Sequence, residues 1–239
     1  MGQSADLLAV LIDADNVSAS KIGAVLTEVA RFGTASVKRI YGDWTNTQLS
    51  TWKQTANEHV IQPVQQFANT VGKNATDSAL IIDAMDLLYT RRFSGFCIVS
   101  SDSDFTRLAT RIREVTVHGF GERKTPAAFR NACDTFTYLD VLEVPKDEPA
   151  AAAPARKSAS ELRQDTKLVA GLRSCITTAS GEEGWAHLSN VGSLMRKQQP
   201  DFDSRNWGYA KLSDLVKVIG LFVLEPRPAG GLQIRSKSK

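Results

Sequence analysis

Short apolar or β-branched runs alternate with longer segments of helical spacing from Leu7 to about Leu142. The runs are Leu7 to Ile12, Ser36 to Tyr41, Phe96 to Ser100 and Val115 to Phe120, each about the length of a buried strand. Between the first two, Ile22, Val25, Leu26 and Val29 recur at i, i+3, i+4 and i+7 in a helix expected from about Ser18 to Arg31, and Gly33 follows as a stop. A second helix is expected from about Thr47 to Asn57. A stronger one is expected from about Ala75 to Arg91, with Leu80, Ala84, Leu87 and Leu88 on one face. HVIQPVQQF is a further strand candidate that Pro63 restricts to an edge or an irregular end. The polar NTVGKNAT is a loop. This alternation predicts βαβ units: an α/β domain with a mostly parallel sheet flanked by helices.

The pattern stops at PKDEPAAAAPARKSAS, residues 145–160, an Ala/Pro/charge-rich stretch without periodicity that reads as a flexible linker. Beyond it the spacing is helical three times over: Leu168, Val169, Leu172 and Ile176; Leu188, Val191, Leu194 and Met195; Leu212, Leu215, Val216 and Ile219. LFVLEP, a PAGG turn and LQIR then predict a two-stranded hairpin. Three helices and a hairpin predict a small C-terminal winged helix-turn-helix domain over 161–239, after an N-terminal domain over 1–144.

Composition is that of an ordinary globular protein, 42% hydrophobic and 23% charged among 239 residues, which excludes a disordered, collagenous or disulfide-scaffold chain. Net charge is only +3. Its distribution is more informative: up to Val144 there are 14 basic and 16 acidic residues, net −2, and from Pro145 there are 15 and 10, net +5. Cys97, Cys133 and Cys175 are far apart and form no CxxC pair, so neither a disulfide framework nor a thiolate zinc site is expected. The N-terminal apolar run is broken at once by Asp13, so no signal peptide, membrane span or membrane partner is expected, and the location expected is cytoplasmic.

Four carboxylates stand where this topology would gather them. Asp13 ends the first strand in LIDADN, Asp102 and Asp104 follow the fourth in IVSSDSDF, and Asp77 opens the strong helix in KNATDSALIID. Strand-ending residues of an open parallel sheet converge at one edge, where such sheets bind ligands. Taken singly, Asp102 or Ser103 is an ordinary helix N-cap. Together, clustered carboxylates repel, and a hard divalent cation, Mg²⁺ or Mn²⁺, is the usual remedy. Such an ion suits phosphodiester hydrolysis, because it polarises a phosphoryl oxygen and lowers the pKa of a bound water. Attack by hydroxide with departure of the 3′-oxygen leaves 5′-phosphate and 3′-hydroxyl ends. His59, His118 and His187 show no ligand spacing. Asn16 either orients a ligand or water or caps the first helix, and Lys73 either meets a phosphate or is simply solvated.

LIDADN, RIYGDW (Arg39 to Trp44), QPVQQF…GKNATD (Gln62 to Asp77) and VSSDSDF (Val99 to Phe105), in this order, resemble the NYN domain, a branch of the PIN-like ribonucleases. The resemblance covers Leu7 to Leu142. It implies a metal-dependent endoribonuclease with its acidic cluster on Asp13, Asp77, Asp102 and Asp104 and a polar companion at Asn16; none of the four acids is replaced. Asp43 and Trp44 would flank the groove, with Trp44 and Lys73 as RNA contacts, and Asp83 and Asp86 would lie away from the site. Two other readings remain open at this point. D-x-D-x-V, Asp13 to Val17, also matches the nucleophile motif of the haloacid dehalogenase-like phosphatases, although no late acidic pair follows Asp104. A non-catalytic RNA-binding or scaffold protein would retain the same pocket unused.

GWAHLSNVGSLMRKQQPDFDSRNWGYAKLSDLVKVIGLFVLEP resembles the OST-HTH, or LOTUS, domain, chiefly in Pro200 to Lys217. Members of that family are RNA-binding modules or docking sites for proteins, so the resemblance implies targeting, with RNA as partner and room for a protein partner; a homodimer is left open separately. Arg196, Lys197, Arg205, Lys211, Lys217, Arg227 and Arg235 surround Trp207 and Tyr209, and cations with aromatic faces suit phosphate contact and base stacking. Of these, Arg196, Lys197, Arg205, Lys211 and Arg227 are the expected RNA contacts. Lys211 and Lys217, six apart, do not share a helix face. Tyr209 is expected in the core, anchoring its loop; for Trp207, core and stacking platform are both open.

Overall fold

The computed structural model describes residues 6–45, 49–66, 75–142, 155–181, 183–227 and 230–237, and the side chains of all of these except 75 and 76. The chain divides into two compact units, Met1–Ala151 and Ala152–Lys239.

In the first unit, β1 (Leu7–Asp13), β2 (Thr34–Gly42), β3 (Gln62–Gln65), β4 (Gly95–Val99), β5 (Thr116–Gly121) and β6 (Thr135–Tyr138) form one sheet in the order β3-β2-β1-β4-β5-β6. Every neighbouring pair is parallel. The strand with Pro63 lies at the edge of the order, as a residue without an N–H requires. The helices are α1 (Ile22–Val29), entered through a 3₁₀ turn at Ala19–Lys21, α2 (Ser50–Glu58), α3 (Ala75–Tyr89), α4 (Thr106–Arg111) and α5 (Ala127–Ala132). A parallel sheet needs cover on both faces, and strand alternation divides β1 accordingly. Ala9 and Leu11 join Leu80 and Ala84 of α3 and Phe129 of α5 in one core cluster. Leu8, Val10 and Ile12 join Ile22 and Val25 of α1 and Trp52 of α2 in the other.

The chain leaves β1 toward β2 and β3 on one side and returns to β4, β5 and β6 on the other, so the order reverses between β1 and β4. Ile12 pairs with Val99 there, which puts Asp13 and Ser100 at the same carboxyl edge. Gly121 ends β5 against this edge: a Cβ on it would lie 2.6 Å from the Ser100 carbonyl oxygen. Asp13 shares the face of Leu11, the face that α3 covers. Asp83 of α3 is braced to β2 by an ion pair with Arg39 and a hydrogen bond from the Tyr41 hydroxyl.

The second unit contains α6 (Ala159–Gln164), α7 (Thr166–Ala179), α8 (Leu188–Gln198) and α9 (Leu212–Ile219), with β7 (Ala186–His187), β8 (Phe222–Pro226) and β9 (Leu232–Ser236) in an antiparallel sheet of order β7-β9-β8. The β8–β9 hairpin is the wing. Two expectations are corrected. The hairpin has a third strand, because Ala186 and His187 pair with Ile234 and Gln233. The stretch expected as linker is ordered at its C-terminal end, since Ser158 and Glu161 make a reciprocal capping box that opens α6. There the Lys157 carbonyl accepts from the Tyr209 hydroxyl at 2.5 Å, and the Arg156 guanidinium lies 4.8 Å from the Tyr209 ring centre. Residues 145–154 lie outside the described residues. Leu172, Ile176, Val191, Met195, Leu215 and Ile219, all on the expected stripes, form the core. Gly208, at φ +81°, closes the 3₁₀ turn before α9 in the left-handed region that glycine enters freely.

Candidate active site

Strand β1 delivers Asp13 to the carboxyl edge with only 1% of its surface exposed. Its Oδ2 accepts from Asn16 Nδ2 and from Ser100 Oγ, both at 2.7 Å, and its Oδ1 accepts the Asp15 amide at 3.1 Å. Burial raises its pKa, against the lowering effect of the Ser100 and Asn16 hydrogen bonds. Ser100 Oγ in turn accepts the Asp102 amide at 3.0 Å, and Asp102 caps the next 3₁₀ turn by accepting the Asp104 amide at 2.9 Å. Asp102 therefore fills its plain structural role as an N-cap through Oδ1. Asn16 does not cap the first helix, whose opening 3₁₀ turn has Ser18 at its N-cap; it orients the Asp13 carboxylate.

Asp77, in the first turn of α3, Asp102 and Asp104 each offer an oxygen within 4.8 Å of the others. Asp77 and Asp102 are half-buried and Asp104 is exposed. Burial first, then the neighbouring Asp13, Asp102, Asp104 and Asp15 carboxylates, push the Asp77 pKa up to about 6. Two unit charges about 5 Å apart repel by roughly 1 kcal/mol in water and roughly 3 kcal/mol at an effective dielectric of 20. The favourable helix dipole at α3 offers only about 0.3–1 kcal/mol in return. Among the described residues, Asp77 and Asp102 make no ion pair. An all-oxygen set of three carboxylates this close together fits a hard divalent cation. The three-carboxylate group does not include Asp13, whose oxygens already hold Asn16, Ser100 and the Asp15 amide.

Trp44 is half-buried against the α1/α2 core, and its indole N–H donates to the Val64 carbonyl at 3.0 Å. Asp43 accepts from Thr45 and from Gln65 at 3.0 Å. Lys73 lies outside the described residues. Asp83, expected away from the acids, braces α3. Ser100 is the buried link between Asp13 and Asp102; its signal in the sequence is a hydroxyl placed directly at a strand end, in the run Val99-Ser100-Ser101-Asp102.

In the second unit, Arg196 and Lys211 line an open cavity of about 570 Å³ together with His187 and the Gly230–Gly231 turn. Arg227 Nη1 lies 2.6 Å from His187 Nδ1. Lys197 is exposed on α8. Arg205 is less available, since its guanidinium grips Asp203 at 2.6–3.1 Å. Tyr209 is 2% exposed and belongs to the core, as expected. Trp207, half-buried, packs on Phe202 and donates to Asp165 at 3.0 Å.

No helix among the described residues is long and apolar enough to cross a membrane. A protein of unknown function from Vibrio parahaemolyticus is 17% identical over 58% of this chain and 95% of its own, with a TM-score of 0.47. An uncharacterised protein from Nitrosomonas europaea, solved by solution NMR, is 40% identical over 41% of this chain and 91% of its own, with a TM-score of 0.29. Comparison with curated proteins gives no match. The OST-HTH/LOTUS domain model, for a module that binds RNA, matches residues 163–234, and the NYN domain model matches residues 7–140. The second of these matches covers more than half of the sequence, and the chain belongs to the NYN family of the PIN-like nuclease superfamily.

Proposed function

We propose that the protein is a metal-dependent endoribonuclease, with 1–144 as its nuclease domain and the C-terminal unit as an RNA-holding module. The convergence of Asp77, Asp102 and Asp104 within 4.8 Å at the switch point of the sheet carries this reading. These three would hold Mg²⁺ or Mn²⁺, and Asp13 adds charge behind them while its hydrogen bonds to Ser100 and Asn16 fix the loop that carries Asp102. Bound there, such an ion would polarise a phosphoryl oxygen and make water a stronger nucleophile. The three carboxylates would hold the ion at the carboxyl edge, and Trp44 and Lys73 are the RNA contacts proposed for this domain. Products with 5′-phosphate and 3′-hydroxyl ends follow. The basic C-terminal unit, in turn, raises the local concentration of RNA.

The phosphatase alternative needs an Asp13 carboxylate free to attack phosphorus, and its 1% exposure with donors on both oxygens disfavours that. The test is cleavage of labelled single-stranded RNA with Mg²⁺ or Mn²⁺ or with chelator, for wild type and Asp102→Asn. Turnover is expected only with metal. It should fall more than about 100-fold in the variant, beyond the 10–100-fold typical of outer-shell partners. No metal-dependent RNA cleavage, or phosphomonoester hydrolysis alone, would overturn the reading.

A further inference from the structure

Ala186, Ile234 and Phe222 point into the core of the second unit, so the alternate positions of its three strands stand on the opposite, outer face. Register brings His187 beside Gln233 and, across the other pairing, Gln233 beside Glu225 and Arg235 beside Val223. Trp185, one residue before β7, lies under Arg235, whose guanidinium is 4.5 Å from the indole centre. Arg227 reaches back to His187 on the same side. Glu225 is the acid of this face. His187 also borders the cavity that holds Arg196 and Lys211, so the sheet face runs on into a cationic cleft.

We infer that this outer sheet face is the RNA-contacting surface of the C-terminal unit and that it takes single-stranded RNA, with one base laid against the Trp185–Arg235 pair and the backbone following Arg235, Arg227 and the cleft. The inference rests on the RNA-holding role proposed above. Cations alone would fit any polyanion, but a half-buried indole with a guanidinium 4.5 Å over its ring centre adds a planar aromatic–cation pair against which an unstacked base can lie. Polyglutamate has no ring to lay there, and a duplex hides its base faces. Tyr209 is buried in the core and does not reach this face.

The full chain is titrated by fluorescence anisotropy, in chelator so that nothing is cleaved, against a labelled 20-nucleotide unstructured RNA and a duplex of the same length. Trp185→Ala should weaken single-strand binding about tenfold, Trp185→Phe should restore it to within about threefold, and duplex binding should change less than about twofold. Arg235→Ala should lower the slope of log K against log salt by about 0.7, one phosphate contact on a single strand. Should Trp185→Ala not fold, the Arg235 variant decides, and an unchanged salt slope for it overturns the assignment. Wild-type-like binding by both Trp185 variants, equal losses on single strand and duplex, or equal competition by polyglutamate would overturn this assignment and leave the RNA-holding role standing. A wild-type chain with no affinity for either RNA would remove both.

Discussion

Ser100 Oγ donates to Asp13 Oδ2 at 2.7 Å while accepting the Asp102 amide at 3.0 Å, so the carboxylate that ends β1 and the loop that leaves β4 form one hydrogen-bonded unit. Ser100→Ala leaves a buried carboxylate short of a donor. Hydrogen bonds to charged groups contribute about 1.5–3 kcal/mol, so the variant should lose stability of that order in denaturant unfolding. RNA cleavage should drop roughly 10–100-fold as the Asp102 loop shifts. An unchanged midpoint together with an unchanged rate would show that the bridge positions nothing.

Asp77 carries the electrostatic strain of the cluster. Its pKa is raised to about 6 in the fold, so its contribution to stability is present below the ordinary carboxylate pKa and is lost as pH rises through 6. Asp77→Asn should therefore stabilise the metal-free protein at pH 7.5, by on the order of 1 kcal/mol once solvent screening of a half-exposed group is allowed for, and should do nothing at pH 4. Thermal melts at the two pH values check this. A lower midpoint for Asp77→Asn at pH 7.5 would mean that the carboxylate is locally satisfied and the cluster is no metal site.

Much of this arrangement was legible in the sequence, and the limits have physical causes. Apolar runs announced β1, β2, β4 and β5 because strands covered on both faces carry little else. Pro63 announced the edge. Strand β6, TFTY, and the six-residue α4 and α5 are too short for a period to show. Helix α6 was hidden inside an Ala/Pro-rich composition, although its Ser158–Glu161 capping spacing was there to be read. The acids were found by their place after strands; that Asp13 lies beneath the surface while Asp77, Asp102 and Asp104 face one another depends on Ser100 and Asn16, whose contacts span 87 and 3 residues and follow only from the fold. The aromatic pair in NWGY attracted attention in the C-terminal unit, whereas Trp185 gains its meaning from Arg235, a neighbour only across the sheet.

His118 provides a pH signature far from the acids. Its ring stacks on Phe32 at 4.1 Å and meets Thr135 at 2.8 Å, and burial lowers its pKa to about 4, against a smaller raising effect of Asp134. The fold thus excludes the charged imidazole: its contribution is intact above pH 6.5 and is lost as pH falls toward 4, to a limit of about 3 kcal/mol. In denaturant titrations His118→Gln should flatten the stability profile between pH 6.5 and 4. A profile parallel to wild type would contradict the assignment.

Val60 is 79% exposed and sits at φ +52°, a costly left-handed conformation for a β-branched residue. Val60→Gly relieves about 1–2 kcal/mol of backbone strain and gives back about 0.5–1 kcal/mol as chain entropy. A net gain of roughly 0.5–1 kcal/mol should raise the melting temperature by a few degrees. A fall would indicate that the exposed side chain is covered by something in solution.

Crystals soaked in Mn²⁺ and measured for anomalous scattering test the central claim most directly. A peak in contact with the carboxylates of Asp77, Asp102 and Asp104, absent from an Asp102→Asn crystal grown and soaked in the same way, is the predicted result. No peak between these residues at saturating Mn²⁺ would contradict the metal-dependent mechanism.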